Sequence, residues 1–356
     1  MADPTEVGIT VNEPTASITM ATRSTKHTKS SQAKFLVLLV LLVAIVTKPS
    51  VGAAQSEQRF ALVISGASGG NEYAAQYATW TDSLSRVLTQ RLRMPADSVT
   101  TLSDTDQPAQ SATADNVRAT LAALRTKMTR DDILVIVLIG HGTFDGVDAK
   151  FNLVGRDLES AEWGALLKTI PGRLVVVNTT AGSFPFIERL AAPRRIVISA
   201  TDSVAQRFDT VFPQYFIKAF EDESADLDKN GRISIWEAFA SASGGVRRHY
   251  QQRGQLSTER ALIDDNGDGV GRGVADDGAD GSAASRTYLD EAHPGAAPTD
   301  EELLKLLQRR SLLEAEAEEL KIRRAFLSAD DYAKEFERIM IDLAKVSSEI
   351  RKRTRT

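Results

Sequence analysis

The sequence contains no cysteine, which excludes disulfide bonds, thiolate metal sites and a thiol nucleophile. It also has no excess of positive charge, since 43 Lys and Arg stand against 48 Asp and Glu and the net charge is -5. Nucleic-acid binding by phosphate neutralisation needs a basic surface, so we expect no nucleic-acid partner. Hydrophobic residues form 42% of the 356-residue chain, enough for a sizeable core.

The chain also lacks an apolar run of the roughly 20 residues that a membrane-spanning helix needs. The N-terminal run Phe35–Val46 is shorter, follows a basic stretch and precedes a group of small residues. This order is typical of a secretory signal peptide. We predict an extension and signal peptide over residues 1–54, starting at Met1 or Met20 and cleaved near Ala54. The mature protein is then periplasmic or extracellular, which we favour over a permanent membrane anchor.

After the signal peptide, short β-branched runs alternate with stretches of helical periodicity. The predicted strands include Phe60–Ser65, Ile133–Ile139, Arg173–Val177 and Arg194–Ser199. This alternation predicts an α/β fold, with a mostly parallel sheet covered by helices on both faces. Functional groups of such sheets sit on loops at the carboxyl ends of strands, and the loops after Ile139 and Val177 are therefore the places to look for a site.

Residues 299–352 predict a helical hairpin, in which Ser328 caps the second helix. Leucines recur at heptad spacing along the first part, as in a coiled coil, namely at Leu306, Leu313, Leu320 and Leu327. So narrow a stripe is not expected to be buried in a globular core. We therefore predict that this tail is a packing or self-association element without chemistry of its own.

Candidate site residues follow two of the predicted strands. His141 stands between glycines after Ile133–Ile139, at a position suited to a general base. The next strand ends in Asn178-Thr179-Thr180-Ala181-Gly182-Ser183. Together with the upstream Ser65–Gly70 loop and the segment at 72–76, this arrangement resembles the legumain-type branch of the caspase-like cysteine peptidases. The resemblance extends from residue 60 to about residue 270.

The resemblance implies a caspase-like domain at 55–290, with His141 as the catalytic histidine and Thr179 in place of the nucleophilic cysteine. It also implies the groove positions Glu72, Ala74, Gly142, Gly182 and Ser183. The arginine of the family's specificity pocket falls on Ala74, and the asparagine that orients the histidine falls on Glu72. An internal threonine is a hindered alcohol, and it lacks the N-terminal amine that serves threonine peptidases as a base.

These departures predict a catalytically silent pseudo-peptidase that binds a protein or peptide ligand, in the former substrate groove or through its helical tail. The alternative is a legumain-like peptidase or other hydrolase, in which His141 activates a hydroxyl of Thr179, Thr180 or Ser183. A third interpretation is that the two threonines only terminate a strand.

An acidic loop at 226–237 matches a complete EF-hand calcium loop. Oxygen-bearing side chains fall at its first, third and fifth positions, a glycine at the sixth and a glutamate at the twelfth. The candidate ligands are Asp226, Asp228, Asn230, Arg232 and Glu237. We predict one Ca²⁺ ion here that stabilises the domain, and the alternative is a solvated acidic turn.

A second acidic loop at 264–275 repeats only the first half of this pattern. Its candidate ligands are Asp264, Asn266 and Asp268, whereas its twelfth position is Ala275. A carboxylate further along, at Asp276, Asp277 or Asp280, could complete a site. A glycine-rich turn without an ion agrees equally well with the sequence, so a second calcium ion stays open.

Overall fold

The computed structural model describes residues 57–276, 278, 280–291, 301–324 and 327–353. The predicted signal peptide and its cleavage site lie outside these residues. Within the described ranges, no helix combines the length and the apolar character needed to cross a membrane.

The order of elements along the chain alternates strands and helices. The strands are β1 (Arg59–Ser65), β2 (Val99–Leu102), β3 (Ile133–Ile139), β4 (Gly142–Phe144), β5 (Ala149–Phe151), β6 (Leu158–Glu159), β7 (Arg173–Asn178), β8 (Arg195–Ser199) and β9 (Leu262–Asp264). The α-helices are α1 (Asn71–Arg86), α2 (Ala114–Lys127), α3 (Ser160–Leu167), α4 (Phe186–Leu190), α5 (Phe212–Ala219), α6 (Ile235–Gln252), α7 (Glu301–Arg323) and α8 (Ala329–Arg353).

The central sheet has six strands in the order β2-β1-β3-β7-β8-β9. All neighbours pair in parallel except β8 and β9, which are antiparallel. Strand β3 lies in the middle, and all seven of its apolar residues are buried. The predicted α/β fold with a mostly parallel sheet is confirmed.

Each face of the sheet carries its own hydrophobic core, because side chains alternate between the faces along every strand. One face packs Val135 and Val137 of β3 against α1, α5 and α6. The opposite face packs Leu134 and Ile136 against α2, α3 and α4. Helices therefore cover both faces, as the continuous apolar strands predict.

The two C-terminal helices form the predicted hairpin, and α7 also packs on the sheet domain. Leu303 and Leu307 of α7 join the core formed with α1, α5 and α6. Of the heptad leucines, Leu313 and Leu320 are fully covered within the chain. Leu320 belongs to a small hydrophobic cluster of the hairpin, separate from the two cores of the sheet domain. The expectation that the stripe is too narrow for a globular core stays a prediction. The α7 helix packs against both the sheet domain and α8, so apolar side chains on more than one of its faces are buried.

Candidate functional site

The carboxyl ends of β1, β3, β7 and β8 bring the candidate site residues to one edge of the sheet. His141 follows β3, and its side chain reaches the loop after β1. Thr179 follows β7 and stays in register with β3, since its backbone N–H donates to the Leu138 carbonyl. Ser183 lies in a short 3-10 turn and meets the loop after β8 through Thr201. Parallel pairing of the strands produces this convergence.

The His141 ring is held by polar partners on both nitrogens. Its Nε2 lies 3.1 Å from the hydroxyl of Tyr77 and 3.2 Å from the carbonyl oxygen of Ser68. Its Nδ1 lies 3.2 Å from a carboxylate oxygen of Asp209. The ring of Tyr73 packs edge-on against the imidazole at 4.6 Å, and its hydroxyl donates to the same Asp209 carboxylate at 2.7 Å. His141 is therefore positioned by α1 on one side and by the loop after β8 on the other.

Asp209 contributes to the raised pKa values of the two neighbouring tyrosines. Its hydrogen bond and its negative charge raise the pKa of Tyr73. Burial raises the pKa of Tyr77, and the charge of Asp209 adds to that effect. Both phenols therefore remain neutral near pH 7 and retain their hydroxyl protons.

The two threonine hydroxyls that follow β7 are engaged with groups other than His141. Thr179 is buried, and its Oγ1 donates to the carbonyl oxygen of Leu138 at 2.7 Å. Thr180 is buried as well, and its Oγ1 donates to the side-chain oxygen of Asn178 at 2.9 Å. Neither hydroxyl is hydrogen-bonded to His141. Both threonine hydroxyls are thus engaged at the end of β7.

The remaining groove positions divide into buried and exposed residues. Ser183 is buried, with its Oγ 3.0 Å from the Thr201 hydroxyl and accepting the Ala200 N–H at 3.0 Å. Glu72 and Ala74 are exposed on the first turn of α1. They provide no counterpart to an arginine pocket.

Gly142 and Gly182 bring two backbone segments of the groove together. A Cβ atom on Gly142 would overlap Thr180 Oγ1 and lie 3.0 Å from the backbone nitrogen of Gly182. The absence of a side chain at Gly142 is therefore what lets β4 approach the turn after β7.

Sequence reasoning missed three residues around His141. Tyr73 and Tyr77 are four residues apart on α1, so they share a helix face, and that spacing was available as a signal. Asp209 lies in the loop after β8, far from His141 in sequence, and no pattern in the sequence indicates this contact.

The first acidic loop brings three carboxylates together, as its EF-hand spacing predicts. Oxygens of Asp226, Asp228 and Glu237 all lie within 4.8 Å of one another. We call these three residues the carboxylate cluster. Asp228 and Glu237 are buried, and Gly231 takes the positive φ of +82° that the sharp turn needs.

Hydrogen bonds from the loop itself orient the carboxylate cluster. Glu237 accepts the Leu227 N–H at 2.8 Å with one oxygen and the Ser234 N–H at 2.9 Å with the other. Asp226 accepts the N–H groups of Asn230 and Gly231. Burial raises the pKa of Glu237. Burial and the nearby Glu237 charge together raise the pKa of Asp228 to about 7.

The other two predicted ligands of this loop differ in what they offer. Asn230 is held beside the cluster, where its amide nitrogen donates to Asp228 at 2.9 Å and to Tyr288 at 2.9 Å. The guanidinium of Arg232 is largely buried, forms a 2.8 Å ion pair with Asp290 and covers the ring of Tyr288. Only the backbone carbonyl of Arg232 could therefore serve an ion.

The second acidic loop is organised as a hydrogen-bonded turn. Asp264, at the end of β9, accepts the N–H groups of Gly267 and Gly269, and the Asn266 amide donates to Asp268 at 3.2 Å. Of the carboxylates that could complete a site, two are paired with cations. Asp276 binds Arg260 at 2.6 Å, and Asp280 binds Arg272 at 3.1 Å.

Asp277, the third candidate for completing the second loop, lies outside the described residues. Among the residues that are described, the cluster in the first loop is the one group of three or more metal-ligating side chains close enough to share an ion.

The chain matches no protein-family model and no curated protein. The chemistry of the two sites therefore rests on their own side chains. At the edge of the sheet, a histidine–aspartate pair stands among tyrosines, and the neighbouring hydroxyls are bound to other groups. In the first acidic loop, the carboxylate cluster brings oxygen atoms of three acidic side chains within 4.8 Å of one another.

Proposed function

We propose that this chain is an exported, catalytically silent caspase-like domain of legumain type, which binds a protein or peptide ligand and is stabilised by calcium. The observation that carries the proposal is the hydrogen bond from the Thr179 hydroxyl to the Leu138 carbonyl. It commits the hydroxyl at the nucleophile position to the backbone of the central sheet.

A nucleophilic hydroxyl must pass its proton to a base within hydrogen-bond reach during attack. The His141 ring instead contacts Tyr77, Ser68 and Asp209. Breaking the Thr179 hydroxyl bond would leave the buried Leu138 carbonyl with the Thr179 N–H as its donor, so the loss costs about 0.5–1.5 kcal/mol. Catalysis by this threonine is therefore opposed both by geometry and by the stability of the sheet.

A binding role is supported by the polar groups that remain accessible at the same edge. The side chain of Asp209 is 51% exposed and that of His141 is 27% exposed. The Asp209 carboxylate can accept further hydrogen bonds from an extended peptide, and His141 and Tyr73 hold it in place. A ligand seated here needs no nucleophile.

The residues of the first acidic loop fit a calcium ion. Asp226, Asp228 and Glu237 would hold it. In an EF-hand loop, the Asn230 side-chain oxygen, which accepts the Arg232 N–H at 2.8 Å here, and the Arg232 carbonyl would be further donors. The ion would supply positive charge between carboxylates that otherwise repel one another. Burial first, and then the charge of Glu237, raise the pKa of Asp228, since a buried carboxylate beside another one resists ionisation.

The alternative function, a hydrolase dependent on His141, is favoured by one observation. Asp209 contacts Nδ1 of the imidazole, as the orienting carboxylate of a general base does. Such an enzyme would need a hydroxyl of Thr179, Thr180 or Ser183 to leave its present partner.

A broad peptide-library cleavage assay with calcium separates the two functions. It compares the wild type with His141→Ala and with His249→Ala, a matched control whose imidazole bonds Tyr215 away from the site. We expect no turnover by any of the three proteins. Turnover that is lost in His141→Ala and kept in His249→Ala would establish the hydrolase. Peptide display on the same proteins tests binding, and we expect peptides selected by the wild type to lose affinity for His141→Ala alone.

Export and self-association stay predictions. Intact-mass measurement of the secreted protein should give a chain that begins within a few residues of Ala54. Size-exclusion chromatography of the full chain, beside one ending at Pro298, tests association through the C-terminal helices. An unchanged oligomeric state would show that α7 and α8 serve only their own chain.

A further inference from the structure

A cavity of about 470 Å³ lies on the α6 side of the molecule, away from His141. Its walls come from α6, from the 3-10 turn Glu223–Ala225, from the segments on either side of β9 and from α7. The volume is in the range of small-molecule sites, about 300–1,000 Å³.

Four arginines line this cavity, although the chain as a whole is acidic. Arg247 and Arg248 come from α6 and are exposed to solvent. Neither forms an ion pair with any carboxylate of the described residues. Arg260 is fixed by ion pairs with Asp202 and Asp276, and Arg310 enters from α7. We call these four residues the arginine cluster.

The acidic side chain in the lining does not neutralise the arginine cluster. Glu259 is buried and turns toward the start of α5, where it accepts the N–H groups of Val211 at 2.9 Å and Phe212 at 3.2 Å. It also accepts the hydroxyl proton of Tyr250 at 3.0 Å. Its oxygens are therefore engaged by other donors, and Arg247 and Arg248 keep exposed guanidinium groups on the cavity wall.

We propose that this cavity binds a small organic anion, whose phosphate, sulfate or carboxylate group is held by the arginine cluster. Guanidinium groups suit such oxyanions because their planar N–H donors can bind two oxygens at once. The hydroxyl-bearing residues Ser241 and Ser257 also line the cavity.

The remaining lining explains why the ligand is organic rather than a bare ion. Leu227, Val246 and Val274 form apolar wall between the charged groups. A ligand with an apolar body would cover these side chains while its anionic end meets the arginines. The cavity is separate from the groove of the proposed peptide ligand, so the inference does not depend on that function.

Isothermal titration of the full chain with phenyl phosphate, benzoate, inorganic phosphate and benzyl alcohol tests the proposal. Phenyl phosphate and benzoate distinguish a phosphate from a carboxylate head group, and benzyl alcohol reports binding without charge. The variant Arg247→Gln/Arg248→Gln removes two exposed guanidiniums of the cluster. Its matched control, Arg91→Gln/Arg125→Gln, removes the same charge from exposed positions outside the cavity.

We expect saturable binding of at least one aromatic anion, weaker binding of inorganic phosphate and none of benzyl alcohol. Affinity should fall about tenfold or more in the cavity variant, because charge-assisted hydrogen bonds are lost, and stay unchanged in the control. Absence of saturable binding at millimolar anion, or an equal loss in both variants, would overturn the proposal.

Discussion

Replacing Glu237 with glutamine should abolish the thermal stabilisation that calcium gives to this protein. Oxygens of Asp228 and Glu237 lie within 4.8 Å of each other, both in buried side chains. Two charges at that distance repel by about 3.5 kcal/mol at an effective dielectric constant of about 20. A bound divalent cation turns this repulsion into attraction. A ligand present at about a hundred times its Kd adds about 2.7 kcal/mol to the free energy of unfolding.

The corresponding rise in Tm is about 5 to 10 °C for a domain of this size. The assay is thermal melting of the wild type, Glu237→Gln and Glu223→Gln in EDTA, calcium or magnesium. Glu223 is an exposed neighbour outside the carboxylate cluster, so its variant should respond to calcium as the wild type does. Magnesium should stabilise less, because it prefers octahedral geometry and keeps its waters.

The response to calcium is compared within each protein, because Glu237 also accepts N–H groups of the loop and its replacement lowers the Tm without any ion. A further variant, Asp228→Asn, removes one of the repelling charges. In EDTA it should therefore melt no lower than Glu237→Gln, and it should not respond to calcium. A wild-type Tm that does not move with calcium, or an equal response from Glu237→Gln, would refute the reasoning.

Three further predictions concern stability. Burial raises the pKa of Glu259, so the folded protein favours the protonated carboxyl group more than the unfolded chain does. The free energy of unfolding, measured in saturating calcium, should therefore fall as pH rises from about 4.3, the ordinary pKa of glutamate. Glu259→Gln should flatten that slope, and an unchanged slope would exclude this residue as its source. Gly142→Ala should lower the free energy of unfolding, measured by chemical denaturation, by about 1–3 kcal/mol, because the added methyl group overlaps Thr180. The control Gly70→Ala should change it little, because no atom lies near the added Cβ. Arg232→Met should lower the free energy of unfolding by about 3 kcal/mol, because it removes the cationic partner of the mostly buried Asp290 carboxylate. A loss below about 1 kcal/mol would contradict this reasoning.

Features that are formed by residues close together in the sequence could be predicted from it. The continuous apolar run of β3 predicts a strand buried on both faces, and the structure confirms it. The carboxylate cluster comes from one short loop, whose own turn at Gly231 brings its ends together. Local spacing was sufficient in both cases.

Contacts between distant segments could not be predicted in the same way. Asp209 reaches His141 only because the β8 loop folds back over the edge of the sheet. The heptad leucines predict a helix, but not that the same chain covers Leu313 and Leu320.

The central claim, that no hydroxyl of the groove acts as a nucleophile, can be tested without knowing a substrate. The full chain in calcium is treated with a fluorophosphonate probe, which modifies activated hydroxyls, and the modified residues are identified by peptide mass spectrometry. The hydrogen bonds of Thr179, Thr180 and Ser183 predict no adduct on any of them. An adduct on one of these three residues that forms in the wild type and disappears in His141→Ala would contradict the account.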